Sequence, residues 1–186
     1  MTELFISPTK LSGLVRIRRS IHSDDRGSLS RVFCDVELAR AGWNGTVRQA
    51  NHTITRHRGI IRGMHYQHPP YGEHKLVTCL SGEVFDVAVD LRRASPTFLS
   101  WHAERLTADN RCSLLIPPGF AHGFQALCNE VQLLYFHSQP YQPDFEGGLH
   151  PADRVLGIEW PLPIGRLSDR DASHPPITGE FSGLDV

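Results

Sequence analysis

The segment Val84-Phe85-Asp86-Val87-Ala88-Val89-Asp90-Leu91 limits the folds open to this chain more than any other. Alternation with a period of two puts Phe85, Val87, Val89 and Leu91 on one face of a strand and Asp86, Ala88 and Asp90 on the other. One face wants an apolar core, and the other wants water or a ligand. Two plain sheets packed face to face cannot bury such carboxylates, whereas a jelly roll with a polar-lined cavity accommodates them. Gly and Pro, 16 and 13 in number, interrupt apolar runs at short intervals from end to end, the rhythm of an all-β domain.

Strands are expected at 14–19, 28–33, 47–55, 59–66, 75–80, 84–91, 98–106, 113–116, 121–127 and 131–137. Helix is scarce: Asp35 to Ala41, stopped by Gly42, and a single turn from Pro151 to Leu156. Turn pairs Ser81-Gly82, Asp109-Asn110 and Asn129-Glu130 suggest hairpins, and so a meander folded into a barrel. A length of 186 residues fits one domain, 1–186, with a core and a small-molecule cleft.

The net charge of -1 offers no field for nucleic acid or an anionic membrane, so an anionic ligand must meet a local basic patch. The segment Met1 to Pro8 lacks the pattern of a secretory leader and no apolar run is long enough to span a bilayer, which makes the cytoplasm the expected compartment. Cys34, Cys79, Cys112 and Cys128 are far apart, as expected of reduced, buried or half-buried thiols.

Reactive side chains are densest from Arg56 to His68, followed closely by Glu73-His74-Lys75. On a regular strand Ile61, Gly63 and His65 share one face, and Arg62, Met64 and Tyr66 the other. Gly63 would leave room beside His65 for a ligand. Taken singly, His57, His68 and His74 read as decoration of a solvated strand. Arg16, Arg18, Arg19 and Arg105 read as surface charges.

The run Gly59-Ile60-Ile61-Arg62-Gly63-Met64-His65-Tyr66-Gln67, preceded by Asn51-His52-Thr53-Ile54-Thr55, resembles the signature of the dTDP-4-dehydrorhamnose 3,5-epimerase family. The similarity continues through Gly82 to Arg92, Ser95-Pro96-Thr97-Phe98 and Ile116 to Phe124. It ends with Tyr135, Tyr141-x-Pro143, Ile158-x-Trp160-Pro161 and Leu167 to Ala172. It covers nearly the whole chain in the right order. The resemblance implies a cupin-like jelly-roll β-barrel that acts, without cofactor or metal, on a nucleotide-sugar substrate as a homodimer.

Inverting a carbon beside a ketone needs a base for the α-proton, a group to hold the enolate, and an acid on the opposite face. The resemblance assigns His65 as base, Asp171 as its partner, Tyr135 as acid and Lys75 as the charge beside the ketone oxygen. On physical grounds alone Asp86 is an alternative partner for His65. Without the resemblance, Tyr135 would read as a core aromatic and Lys75 as a solvated strand lysine. Arg62 and His122 match positions at the pyrophosphate end, Gln49 and Asn51 line the same cleft, and Tyr141 lies near the acid. Arg26, in Asp24-Asp25-Arg26-Gly27, matches an arginine delivered from an N-terminal strand, often across a dimer interface.

Several positions depart from the family pattern. Glu73 stands where Gln is common, which bears on the charge balance of Lys75. Thr53 and Thr55 replace serines, and Phe136-His137-Ser138-Gln139-Pro140 replaces a Lys-Thr-Thr run. An epimerase of C3 alone or C5 alone uses the same groups and stays open. A metal-dependent cupin is a rival, because Pro117-x-Gly119-x-x-His122 resembles its second motif, although His65 and His68 would face opposite sides of a strand. A catalytically inactive sugar-binding module is a second rival, weakened by the presence of His65, Tyr135, Lys75 and Asp171.

Overall fold

In the computed structural model, which describes residues 3–186, the chain folds into two antiparallel sheets and a detached hairpin. Met1 and Thr2, where the N-terminal segment considered above begins, lie outside the described residues. The six-stranded sheet has the spatial order β1 (Leu4–Pro8), β2 (Val15–Arg19), β10 (Cys112–Ile116), β7 (Lys75–Ser81), β12 (Val131–His137), β5 (Gln49–Thr55). The five-stranded sheet runs β13 (Glu146–Gly148), β6 (Ile61–Gln67), β11 (Phe120–Ala126), β8 (Glu83–Asp90), β9 (Trp101–Thr107). β3 (Ile21–Asp24) and β4 (Gly27–Ser30) form the hairpin, and the two short helices are α1 (Asp35–Ala39) and α2 (Asp169–Ser173). This is a jelly-roll barrel. No helix among the described residues is long and apolar enough to cross a membrane.

The expected meander does not form. Ser81-Gly82, Asp109-Asn110 and Asn129-Glu130 are connections, but each carries the chain from one sheet to the other: β7 to β8, β9 to β10, β11 to β12. Hydrogen-bonded neighbours come instead from distant segments, β5 with β12 and β6 with β11. A turn dipeptide specifies that the chain reverses, not the layer to which it returns. Strands β1, β3 and β13 and helix α2 were not anticipated, and 151–156 is a series of turns rather than a helix.

The inward sets grade from apolar to polar along the barrel. On β12, Val131, Leu133, Tyr135 and His137 all point inward, the first two into the core with Val77, Cys79, Val84 and Phe124. Both faces of β8 are covered. Ala88 faces the barrel core, while Val87, Val89 and Leu91 pack against Leu149, Leu156 and Leu184 of the C-terminal segment. Each such apolar side chain contributes about 2 kcal/mol when fully buried. Asp90, expected on the cavity face, is buried in a local knot with Arg92, Ser95 and Thr97. Arg19, expected at the surface, is only 7% exposed, its guanidinium reaching the Arg111 carbonyl.

One irregularity decides what β6 presents. Its pairing with β11 shifts between His122 and Phe124, so that His65 sits opposite His122 and Arg62 opposite Phe124. The extra residue of this bulge breaks the alternation. Arg62 and His65, expected on opposite faces, both line the cavity, while Met64 is buried under the C-terminal segment. Gly63 does not leave space for a ligand: a Cβ there would lie 2.5 Å from Gly123 Cα and 2.7 Å from the His122 carbonyl oxygen. The backbone of β11 fills that space.

Gly63 also holds φ at 121°, a conformation that disfavours side chains. Gly63→Ala is therefore expected to destabilise the fold by about 2–3 kcal/mol, read as a lower urea midpoint. A midpoint within error of wild type would mean that β6 and β11 can separate at no cost.

Candidate active site

A cavity of about 800 Å³ opens at the polar end of the barrel, between the sheets. Gln49, Asn51 and Thr53 of β5, Lys75 of β7 and Tyr135 and His137 of β12 line one wall. Arg62, His65 and Gln67 of β6 and His122 and Phe124 of β11 line the other. Arg166, Ser168, Arg170 and Asp171 close it from the C-terminal segment.

His65 and Asp171 are paired, Nε2 to Oδ1, at 2.7 Å. A carboxylate only accepts, so the proton of the imidazole lies on Nε2 and Nδ1 keeps a free lone pair. Asp171 is set by α2, whose N-terminus Ser168 caps by accepting from the Asp171 amide. Burial works to raise the Asp171 carboxyl, but His65, the Gly63 amide and Ser168 outweigh it and hold the group below the usual carboxylate range. Arg170 lies 3.1 Å from the same imidazole nitrogen, anchored by Glu146 at 2.6 Å.

Asp86, the alternative partner for His65, is taken: it bonds His122 Nε2 at 2.8 Å with both groups buried. Burial pushes His122 below the ordinary histidine value despite Asp86, so at neutral pH it offers hydrogen bonding and shape rather than positive charge. Tyr135 is 8% exposed, its ring 6.1 Å from His122, and burial followed by the charge of Asp86 drives its pKa well above 10. It is a neutral phenol, able to donate.

Lys75 is not a solvated strand lysine. Its ammonium lies 3.3 Å from Glu73 in a nearly closed environment. Arg62 bonds only the neutral oxygens of Thr55 and Ile54, leaving its charge for a ligand. Tyr141 donates its hydroxyl to Glu146 and its amide to Gln49 at the cavity rim. Arg26 is elsewhere: at the tip of the β3–β4 hairpin, paired with Asp24 and outside the lining of its own chain's cavity.

His137, Arg166, Arg170, Gln67 and Glu146 line the cavity without having been chosen from sequence. His137 was within reach, being two residues beyond Tyr135 on the same strand face. Arg166 lies in irregular chain and Arg170 in the five-residue α2, too short to carry a periodic signal.

The donors a metal would need are dispersed. His65 serves Asp171, His122 serves Asp86, Glu73 serves Lys75 and His137, and the His74 ring stands 6.0 Å from that of Trp43. Among the described residues no group of three or more His, Cys, Asp or Glu is arranged to hold a metal ion.

Residues 8–178 match the family model described as dTDP-4-dehydrorhamnose 3,5-epimerase. The Shigella flexneri dTDP-4-dehydrorhamnose 3,5-epimerase is 39% identical over 164 residues, covering 88% of this chain and 90% of its own. The solved dTDP-6-deoxy-D-glucose-3,5-epimerase of Legionella pneumophila, in complex with dTDP-4-keto-L-rhamnose, superposes with a TM-score of 0.90 at 35% identity over 98% of each chain. A 3'-monoepimerase from Streptomyces bikiniensis, in complex with dTDP-quinovose, superposes with a TM-score of 0.85 at 35% identity, covering 91% of this chain and 86% of its own.

Burial lowers the pKa of His74, His122 and His174 alike from the ordinary 6.5. Below that value the unfolded chain binds more protons than the folded one, so folding stability falls as the pH drops. The urea midpoint is expected to be lower at pH 5.5 than at pH 7.5, with the loss beginning near pH 6.5. A flat or rising midpoint across that window would contradict the burial of these imidazoles.

Proposed function

Since the chain belongs to the dTDP-4-dehydrorhamnose 3,5-epimerase family, we propose that it inverts C3, C5 or both in a nucleotide-linked 4-keto-6-deoxyhexose, with dTDP-4-keto-6-deoxyglucose as the first substrate to test. The observation that carries the proposal is the His65–Asp171 pair at 2.7 Å, facing the neutral phenol of Tyr135 across one cavity.

His65 Nδ1 takes the α-proton, and the electron pair of the C–H bond moves onto the ketone oxygen. Asp171 holds the tautomer and offsets the charge of the imidazolium that forms. Lys75 stabilises the enolate oxygen. Tyr135 returns a proton to the opposite face of the carbon as the electron pair moves back from oxygen, and the cycle closes when His65 releases the abstracted proton to solvent and Tyr135 takes one from it. Only protons move, and no cofactor or metal is assigned. Arg62, with Arg166 also in the cavity lining, supplies positive charge for the pyrophosphate, and Gln49, Asn51, His122 and Tyr141 complete the contacts. The reading treats 1–186 as one catalytic domain working in the cytoplasm.

The similarity to a 3'-monoepimerase favours a second reading in which a single carbon is inverted. Incubation with the substrate in heavy water distinguishes the two: deuterium at both C3 and C5 marks the double epimerase, and label at one carbon marks the single. His65→Asn is expected to lower incorporation by about 10³-fold while the variant still binds dTDP. Incorporation at the wild-type rate would remove His65 from the reaction.

A homodimer belongs to the proposal. The exposed β3–β4 hairpin, with Leu29 66% exposed and the Arg26 side chain 84% exposed, is free to reach a partner's cavity. Arg26→Ala and His65→Asn, each impaired alone, are expected to recover activity when co-refolded. One site of the hybrid then has His65 from one chain and Arg26 from the other. Absence of any recovery would place Arg26 outside the partner's site.

A further inference from the structure

On the six-stranded wall the polar side chains form a hydrogen-bond chain that runs in one direction. The Tyr141 amide donates to Gln49 Oε1 at 2.9 Å, and Gln49 Nε2 donates to Asn51 Oδ1 at 3.1 Å. Asn51 Nδ2 then meets His137 Nε2 at 3.4 Å, and His137 Nδ1 meets Glu73 Oε2 at 3.1 Å. An amide NH₂ can only donate and a carboxylate can only accept. The two contacts of His137 therefore require one tautomer, protonated on Nδ1 and accepting at Nε2.

From the other side Lys75 Nζ lies 3.3 Å from Glu73 Oε1, and Gln67 Nε2 donates to Oε2 at 3.3 Å. The chain from Tyr141, together with Lys75 and Gln67, thus converges on one carboxylate, whose side chain is 11% exposed. Burial works to raise the Glu73 carboxyl, but Lys75 and His137 outweigh it and keep it below its ordinary value. The ring of His137 also lies nearly parallel to that of Tyr135, 6.0 Å away and inclined by 22°.

We propose that Glu73 and His137 are positioning residues that set substrate specificity: through the one-way chain they fix which donors and acceptors Gln49 and Asn51 turn to the sugar. By facing Lys75, Glu73 also governs how much ammonium charge reaches the enolate oxygen. The inference rests on the epimerase reading of this cavity. Without an acceptor at 137, Asn51 loses the partner that orients its amide, and Gln49 is left with the Tyr141 amide as its one fixed partner, its Nε2 no longer assured of an oxygen on Asn51. A carboxylate beside the ammonium draws on the same field that would stabilise a nearby oxyanion.

Two measurements test this. Imidazole ¹⁵N–¹H correlation spectra of the unmodified protein at neutral pH are expected to show His137 protonated on Nδ1 alone. Protonation on Nε2, or on both nitrogens, overturns the chain whether or not the protein is an epimerase. Steady-state deuterium incorporation into dTDP-4-keto-6-deoxyglucose supplies the second test, and failure of the wild type to incorporate label would sink the epimerase reading instead. His137→Leu, which keeps bulk but no polar atom, is expected to raise KM about five- to tenfold with a smaller change in kcat. His137→Gln, which keeps a donor and an acceptor, should restore most of that KM. Glu73→Gln is expected to raise kcat about threefold or more, because Lys75 no longer shares its charge. An unchanged KM for His137→Leu, no recovery in His137→Gln, or a kcat for Glu73→Gln at or below wild type overturns the proposal.

Discussion

The close approach of two backbones, Gly63 on β6 and Gly123 on β11, is the constraint on which the site depends. A Cβ on Gly123 would stand 2.6 Å from Met64 Sδ and 2.9 Å from the Arg62 carbonyl oxygen, so neither strand tolerates a side chain there. The bulge that forms at this contact turns Met64 outward, and Arg62 and His65 inward together. It also leaves the Gly63 amide directed at Asp171 Oδ2. The imidazole proposed as base, its carboxylate partner and the guanidinium proposed for the pyrophosphate are thus arranged by one irregular step in one strand. A regular β6 would have sent Arg62 to the opposite face from His65.

Around that step the barrel divides its interior between stability and chemistry. The same strands supply both, because each inward set changes character along its length: Leu133 then Tyr135 and His137 on β12, Cys79 then Val77 and Lys75 on β7. The apolar end binds the sheets together, and the polar end costs desolvation that is offset by pairing nearly every group. Asp86 with His122, Asp171 with His65 and Glu73 with Lys75 each place a carboxylate against a donor.

Much of this was legible in the chain itself. The alternation in β8 and the punctuation by Gly and Pro indicated a barrel with a polar interior, and His65, Lys75, Tyr135 and Asp171 do converge on one cavity. What stayed hidden was non-local. Turn residues do not say which sheet a strand joins, so the connections within the jelly roll read as those of a meander. A bulge depends on the partner strand, so the faces of β6 were misjudged on either side of Gly63. The position of Asp86 on the polar face of β8 does not reveal that His122 occupies it. Arg166 sits in irregular chain and Arg170 in a five-residue helix, neither of which leaves a pattern in the sequence.

That C-terminal chain has a bearing on how the protein comes into being. It shields the outer face of the five-stranded sheet with Leu149, Leu156 and Leu184, and it also carries Asp171 to the imidazole. During synthesis all strands of both sheets leave the ribosome before residues 149–186 do. A nascent barrel therefore exposes an apolar flank and holds a histidine with no partner. Docking of that segment closes the flank and completes the pair together, so a chain interrupted before it is both adhesive and without the His65–Asp171 contact.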